Sequence, residues 1–312
     1  MLHVGRFLDN ARARGISVCD IMSRLTQALM GVWTPRIECK KVLLMKHENI
    51  LTEVRGRVGI ITLNQPDRLN PMSNKMQREK IDQVREWNND DSVGAIVITG
   101  AGRGFCSGAD IAKFEAAVHN GLNEVPLLPA DVEWLELARD SKPIVCAING
   151  VAVGLGVTFT LPCDIRVASS EARFSFRFAA IGLTPEYGST HYLPQLIGMG
   201  KAMEFMLSAR FVEAQEALDA GLVNYVYPPE EMLEKAVELA QQIAENPDWQ
   251  LRKIKRLMHE NYMERDLSLV VRHERETFRE AQGTEAHKEA LLAFRERRKP
   301  NFHTDHIDED EE

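Results

Sequence analysis

The chain has 312 residues, 44% of them hydrophobic and 27% charged, with a formal net charge of −8 at pH 7. That length accommodates one large domain or two smaller ones. The acidic balance argues against an extended nucleic-acid surface, and no apolar run reaches the roughly 18 residues that a membrane span requires. Five cysteines, Cys19, Cys39, Cys106, Cys146 and Cys163, show no CxxC or Cys/His ligand spacing; they read as buried free thiols, and no metal cluster is visible.

The charge is uneven along the chain. Residues 1–46 carry eight Lys/Arg against three Asp/Glu, a balance of +5, which leaves −13 for 47–312. This first segment has no signal-peptide pattern. It reads as a peripheral or disordered N-terminal extension, with a short amphipathic helix over 21–29; an organelle transit peptide is the alternative.

From Ile50 the pattern sharpens. ILTEV and VGIITL form two strands around Arg55-Gly56-Arg57, a hairpin signal. NQPDRLNPMS is a polar loop, and Ser73 is placed to cap a helix over 74–87. AIVITG is a short buried strand, and GRGFCSGADI follows as a glycine loop leading into a helix. Helical patterns run to about Asp140, broken by the Pro126–Pro129 loop. Lys142-PIVCAI is another buried strand, running into NGVAVGLGVTFTLPCD.

In that stretch Gly154 and Gly156 flank Leu155, and Val157 to Leu161 continues as a buried apolar helix. A turn feeding a helix leaves backbone N–H groups unpaired at the positive end of the dipole, a ready site for an oxyanion; close packing of helix on sheet is the other reading. DIRVAS and ARFSF follow as strands, then the loop IGLTPEYGST and a helix from about Tyr192 to Leu207, interrupted near Gly198. The remainder is helical, with patterns over 214–220, 230–245, 249–262, 267–281 and 284–297. Residues 305–312 are an acidic tail.

The unit strand, glycine loop, helix thus occurs twice, at 95–118 and 144–161, which implies an α/β architecture with ligands beyond the carboxyl ends of the strands. Neither loop is a phosphate loop, and GLG lacks the third glycine of a dinucleotide fingerprint. What remains is two loops that each present one backbone N–H. Two converging donors stabilise an enolate oxygen. The base that such chemistry needs is best sought at Glu186 in LTPEYG, whose apolar surroundings would raise its pKa; the alternative is a solvated loop glutamate. His191 is a second candidate base. Asp110 reads as a helix cap.

Together QPDRLNPMS, GRGFCSGADIAKF, KPIVCAINGVAVGLG, LPCDIRVAS, ARFSF and GLTPEYGSTHYLP resemble the crotonase (enoyl-CoA hydratase/isomerase) family, in order and spacing across roughly 50–265. The resemblance implies an α/β fold, a spiral of ββα units over 47–208 that holds the acyl-CoA site. A helical trimerisation region over 209–300 and an acidic tail over 301–312 would follow. It implies an acyl-CoA thioester substrate with no separate cofactor, since coenzyme A is part of the substrate. It also implies a homotrimer or dimer of trimers. It maps the oxyanion donors to the backbone of Ala109 and Leu155. The CoA moiety would lie along Arg68, Leu69, Ala109, Asp110, Ile111 and Ala112. Met72, Met76, Phe114, Trp134 and Phe178 would border the acyl pocket.

The departures select the reaction. Hydratases of the family use two glutamates, and the matching positions here are Thr158 and Phe178. Glu186 falls where double-bond isomerases of the family carry a carboxylate. The expectation is a Δ3–Δ2 enoyl-CoA isomerase with Glu186 as its base. The alternatives are enoyl-CoA hydratase or other thioester chemistry, and a catalytically inactive acyl-CoA-binding protein. No nucleic-acid partner and no membrane are expected. The expected location is the cytoplasm, or the mitochondrial matrix if 1–46 is a transit peptide.

Overall fold

The computed structural model describes residues 47–110 and 130–303. The expectations for 1–46, for Ile111, Ala112, Phe114 and the 126–129 loop, and for the acidic tail beyond 303 lie outside the described residues. The described residues form one compact unit.

The hairpin is as read: β1 (Ile50–Arg55) pairs antiparallel with β2 (Val58–Leu63), with Arg55 opposite Val58 across a two-residue turn. Gly56 holds φ 56, the left-handed backbone such a turn requires. After α1 (Asn74–Asn88) the chain alternates between two sheets. β3 (Ala95–Gly100), β5 (Ile144–Ile148) and β7 (Ile165–Ser169) join the first sheet. β4 (Gly104–Cys106), β6 (Val151–Val153) and β8 (Arg173–Ser175) join the second. Each turn of the chain therefore lays one long strand and one short strand side by side with the previous turn, a ββα spiral. With β9 (Val212–Glu213) and β10 (Tyr225–Tyr227) the sheet orders are β1-β2-β3-β5-β7-β10 and β4-β6-β8-β9.

The three-residue strands β4 and β6 differ from the sequence reading, which assigned them to a loop and to the end of the preceding strand. Three residues are too few to show alternation; their strand conformation comes from pairing across the spiral, Gly104 with Val151 and Cys106 with Ala152.

Alternation in the long sheet explains its near-continuous apolar strands. Val58, Ile60, Ala95, Val97, Val145, Ala147 and Val167 face α6 (Pro229–Ala244) through Met232, Ala236, Ala240 and Ala244. Ile61, Leu63, Ile96, Ile98, Cys146 and Ile148 face the other way, into the larger core. A sheet covered on both faces has no polar side to display. The other helices that precede α6 in the chain are α2 (Ala130–Asp140), α3 (Leu155–Thr158), α4 (Ser189–Ser208) and α5 (Ala214–Asp219). The chain then continues through α7 (Asp248–Tyr262), α8 (Leu267–Gln282) and α9 (Glu285–Glu296). Ser73 caps α1 as expected, accepting from Met76 N at 3.1 Å. α4 carries non-helical dihedrals at Gly198, at the interruption read from the sequence.

Two buried polar residues fix the loops around the spiral. Arg166 Nε donates to Leu222 O at 2.8 Å, and its Nη1 donates to Thr160 O and Cys163 O at 3.1 and 2.9 Å. Asn70, fully buried, donates from Nδ2 to Ala101 O, Gly104 O and Phe105 O at 2.9, 2.8 and 3.2 Å, and its Oδ1 accepts from Gln65 N at 2.8 Å. Leu69 and Asn70 both adopt left-handed backbone, φ 59 and 54. Such residues persist only where their surroundings over-determine them, and the Asn70 amide supplies that constraint. Asn70→Ala removes the side-chain donor from Ala101 O and Phe105 O and the acceptor from Gln65 N, leaving Gly104 O to Asn149 Nδ2 at 3.4 Å, and is expected to lower unfolding free energy by about 1–3 kcal/mol, measured by urea denaturation.

Candidate functional site

The two glycine loops meet. A β-carbon on Gly156 would lie 2.2 Å from Cys106 O, and one on Gly108 would lie 2.7 Å from Val153 O and 3.8 Å from Leu155 N. Only glycine permits this approach, which sets the residue after Gly108, Ala109, beside the start of α3. Gly108 (φ 98) and Gly154 (φ 52) also need the left-handed region.

Met72 N donates to Gly108 O at 2.8 Å, and Met72 and Ala109 form an isolated parallel bridge. In that pattern the Ala109 N–H points away from Met72. Among the described residues neither the Ala109 nor the Leu155 amide donates to a protein acceptor. The sequence reading expected the Leu155 amide to gain from the dipole of a helix running to Leu161. α3 ends at Thr158, so the dipole of one turn is small, and the donor is a turn amide held in place by packing. The helix stops because the chain turns repeatedly to reach β7; Thr160 Oγ1 donates to Val157 O at 2.7 Å.

Arg68 and Leu69 join the first loop. Ser107 N donates to Leu69 O at 2.8 Å and Ser107 Oγ to Arg68 O at 3.2 Å. Arg68 Nη2 donates to Asp110 Oδ1 at 2.6 Å, so the Asp110 carboxylate is paired with an exposed guanidinium. Arg68, Leu69, Ala109, Asp110 and Leu155 are thus gathered at one edge. Met72, Met76, Trp134 and Phe178 are all buried in the larger core, with Trp134 Nε1 donating to Phe159 O at 2.8 Å.

Glu186 is half-buried, and its carboxyl is pushed up to about 7, first by burial and then by the charge of Asp131. The elevation was readable from the apolar loop; Asp131, brought in from α2, was not. Tyr187 follows at φ 56 and is buried, and Gly188 takes φ 63, so two successive left-handed residues form the corner that ends at α4. Ser189 N donates to Glu186 O at 3.0 Å and closes it. His191 is exposed and faces Gln195 Nε2 at 2.8 Å, outside this cluster.

Thr158 is fully buried, with its hydroxyl 3.5 Å from Leu155 O, and Phe178 Cε1 lies 4.0 Å from the β-carbon position of Gly154. Neither position offers a carboxylate. The model of the enoyl-CoA hydratase/isomerase family matches residues 53–305.

The chain belongs to the enoyl-CoA hydratase/isomerase (crotonase) family. It is 36% identical over 257 residues to the short-chain-enoyl-CoA hydratase of Clostridium acetobutylicum, covering 82% of this chain and 97% of that one. It is 33% identical over 269 residues to the 1,2-epoxyphenylacetyl-CoA isomerase of Escherichia coli, covering 82% and 98%. A solved enoyl-CoA hydratase structure from Bacillus anthracis superposes with a TM-score of 0.75 at 30% identity, covering 82% of this chain and 99% of that one. The family assignment makes this an acyl-CoA enzyme of the hydratase/isomerase type. Among the described residues, no helix is long and apolar enough to cross a membrane.

The loop contact yields a direct test. Gly156→Ala must displace a backbone carbonyl; it is expected to cost about 1–3 kcal/mol of stability and, by misplacing an amide donor, to lower kcat/KM on an acyl-CoA by about a hundredfold, measured by thermal unfolding and steady-state kinetics.

Proposed function

We propose that this family member is a Δ3–Δ2 enoyl-CoA isomerase. The observation that carries the reading is one elevated carboxyl, Glu186, half-buried in the loop before α4, together with Thr158 and Phe178, both buried, at the two positions where hydratases of the family carry glutamates. The thioester oxygen accepts from the Ala109 and Leu155 amides. The CoA moiety runs past Arg68, Leu69 and Asp110. Ionised Glu186 removes a proton from C2. The electron pair delocalises into the thioester carbonyl, where the two amides stabilise the dienolate. Protonated Glu186 then returns the proton to C4, and the double bond ends between C2 and C3. A carboxyl titrating near neutrality suits a group that must both take and give a proton.

The relatives' names support hydration as a second reading, since the Clostridium protein is named a hydratase. The two readings separate in Glu186→Gln. Its isomerisation of a 3-enoyl-CoA is expected to fall by more than about a hundredfold, with acyl-CoA binding retained as a thermal shift. Undiminished turnover overturns the assignment. Hydration of a 2-enoyl-CoA that survives the substitution favours the hydratase reading. Binding without product from any acyl-CoA favours a non-catalytic binder.

The pH dependence follows with its sign. The base works ionised, so kcat/KM for isomerisation is expected to rise with pH through about 7 and level off above it. The folded carboxyl binds its proton more tightly than the unfolded one. Its stability contribution is therefore full below the unfolded value of 4.5 and lost as pH rises through about 7. Glu186→Gln is expected to raise Tm relative to the parent above that pH and not below 4.5.

We further propose that the α7–α9 region mediates self-association into a homotrimer or dimer of trimers. Met258, Tyr262, Leu267, Phe278 and Phe294 expose 60–86% of their surface there, large apolar side chains of the kind that an interface covers. Light scattering is expected to report a trimer or a hexamer.

A further inference from the structure

Four polar side chains behind the oxyanion loops have no hydrogen-bond partner among the described residues: Gln77 through both amide atoms, Lys80 through Nζ, Tyr187 through its hydroxyl and Ser189 through Oγ. Each is at most 2% exposed. They share one neighbourhood. Gln77 and Lys80 lie one turn apart on the buried face of α1. Lys80 Nζ sits 3.7 Å from the ring centre of Trp134 and 4.2 Å from that of Phe159. Trp134 is one turn along α2 from Asp131, whose charge acts on both Glu186 and Tyr187. Tyr187 and Lys80 each interact electrostatically with Cys106, at the end of β4. The pair on α1 and the pair at the start of α4 thus flank the same turn of α2 and the same end of β4.

A buried ammonium is costly unless it is paired and hydrogen-bonded. The two ring faces attract the charge, but they offer no carboxylate or carbonyl oxygen to its three N–H groups. Burial lowers the Lys80 pKa to about 8. Gln77, one turn earlier on the same face of α1, adds an amide donor. An ammonium and an amide N–H one helical turn apart match the two oxygens of a carboxylate.

α1 leads from the first glycine loop to these groups. α1 begins next to the first oxyanion loop, where Met72 N bonds Gly108 O. Lys80 is six residues beyond Asn74, the first residue of α1, and so about 9 Å further along the helix axis. Met76, between them on the same face, is fully buried.

We infer that Gln77 and Lys80 recognise a carboxylate at the distal end of the acyl chain, so that the substrate is the CoA monothioester of an unsaturated dicarboxylic acid. This rests on the acyl-CoA reading above. Both side chains are closed over in this structure, and the flexible Lys80 stem turns toward the chain as the carboxylate enters.

The test compares three medium-chain 3-enoyl-CoA substrates of equal length, ending in a methyl group, a hydroxyl or a carboxylate. The readouts are kcat/KM and the thermal shift on binding. The wild-type protein is expected to prefer the carboxylate over the methyl substrate by at least about tenfold. Lys80→Met, which replaces a buried charge with an apolar chain of similar length and is expected to fold with an unchanged or higher Tm, is expected to abolish that preference. Gln77→Leu is expected to reduce it. Equal use of methyl and carboxylate substrates, a hydroxyl substrate as good as the carboxylate, or a ratio unchanged in Lys80→Met would each overturn the inference while leaving the isomerase reading intact. If no substrate is turned over, the isomerase reading fails, and the thermal-shift ratio still decides the carboxylate preference.

Discussion

At Gly156 there is no room for a β-carbon. Built there, it would overlap the Cys106 carbonyl at 2.2 Å, and this glycine-only approach brings the end of β4 against the start of α3. Without it, the Ala109 and Leu155 amides would belong to separate loops. The contact is backbone against backbone, so both amides inherit the rigidity of two strands in the second sheet; in the proposed role of oxyanion donors they would need no reorganisation as charge develops.

The rest of the spiral keeps that contact in register. Strands β4 and β6 are each only three residues long and hold together by pairing with each other and with β8. The long sheet beneath them is closed on one face by α6 and on the other by the core. Asn70 ties the loop before α1 to the carbonyls around β4, and Arg166 ties the chain after α3 to the turn before β10. Both are polar residues satisfied by carbonyl oxygens, which suits positions where loops rather than sheets must be fixed. The carboxyl of Glu186 is raised by the same enclosure that buries Tyr187 beside it.

Much of this was legible in the sequence because the signals are local. The hairpin glycine, the Ser73 cap, the break at Gly198 and the glycines around Leu155 each act through their own backbone. The raised carboxyl of Glu186 was legible because its neighbours in the chain are apolar. What escaped was set by distance along the chain. Asp131 reaches Glu186 from another helix. Lys80 carries no sequence signal of burial, since Trp134 and Phe159 reach it from other elements. The three-residue strands carry no periodicity, and the end of α3 depends on where β7 must begin. Tyr187 at φ 56 had no signal either, since a tyrosine is not expected in the left-handed region.

The central claim is one of geometry: two backbone amides and one carboxylate converge on a single thioester. A crystal structure with a non-reactive enoyl-CoA analogue bound tests it most directly. The expected result places the thioester oxygen about 2.7–3.1 Å from both the Ala109 and Leu155 nitrogens, with a Glu186 carboxylate oxygen about 3–3.5 Å from C2. A thioester oxygen bound away from those amides, or a Glu186 carboxylate turned from the acyl chain with an ordered water held against C3 by other groups, would contradict it.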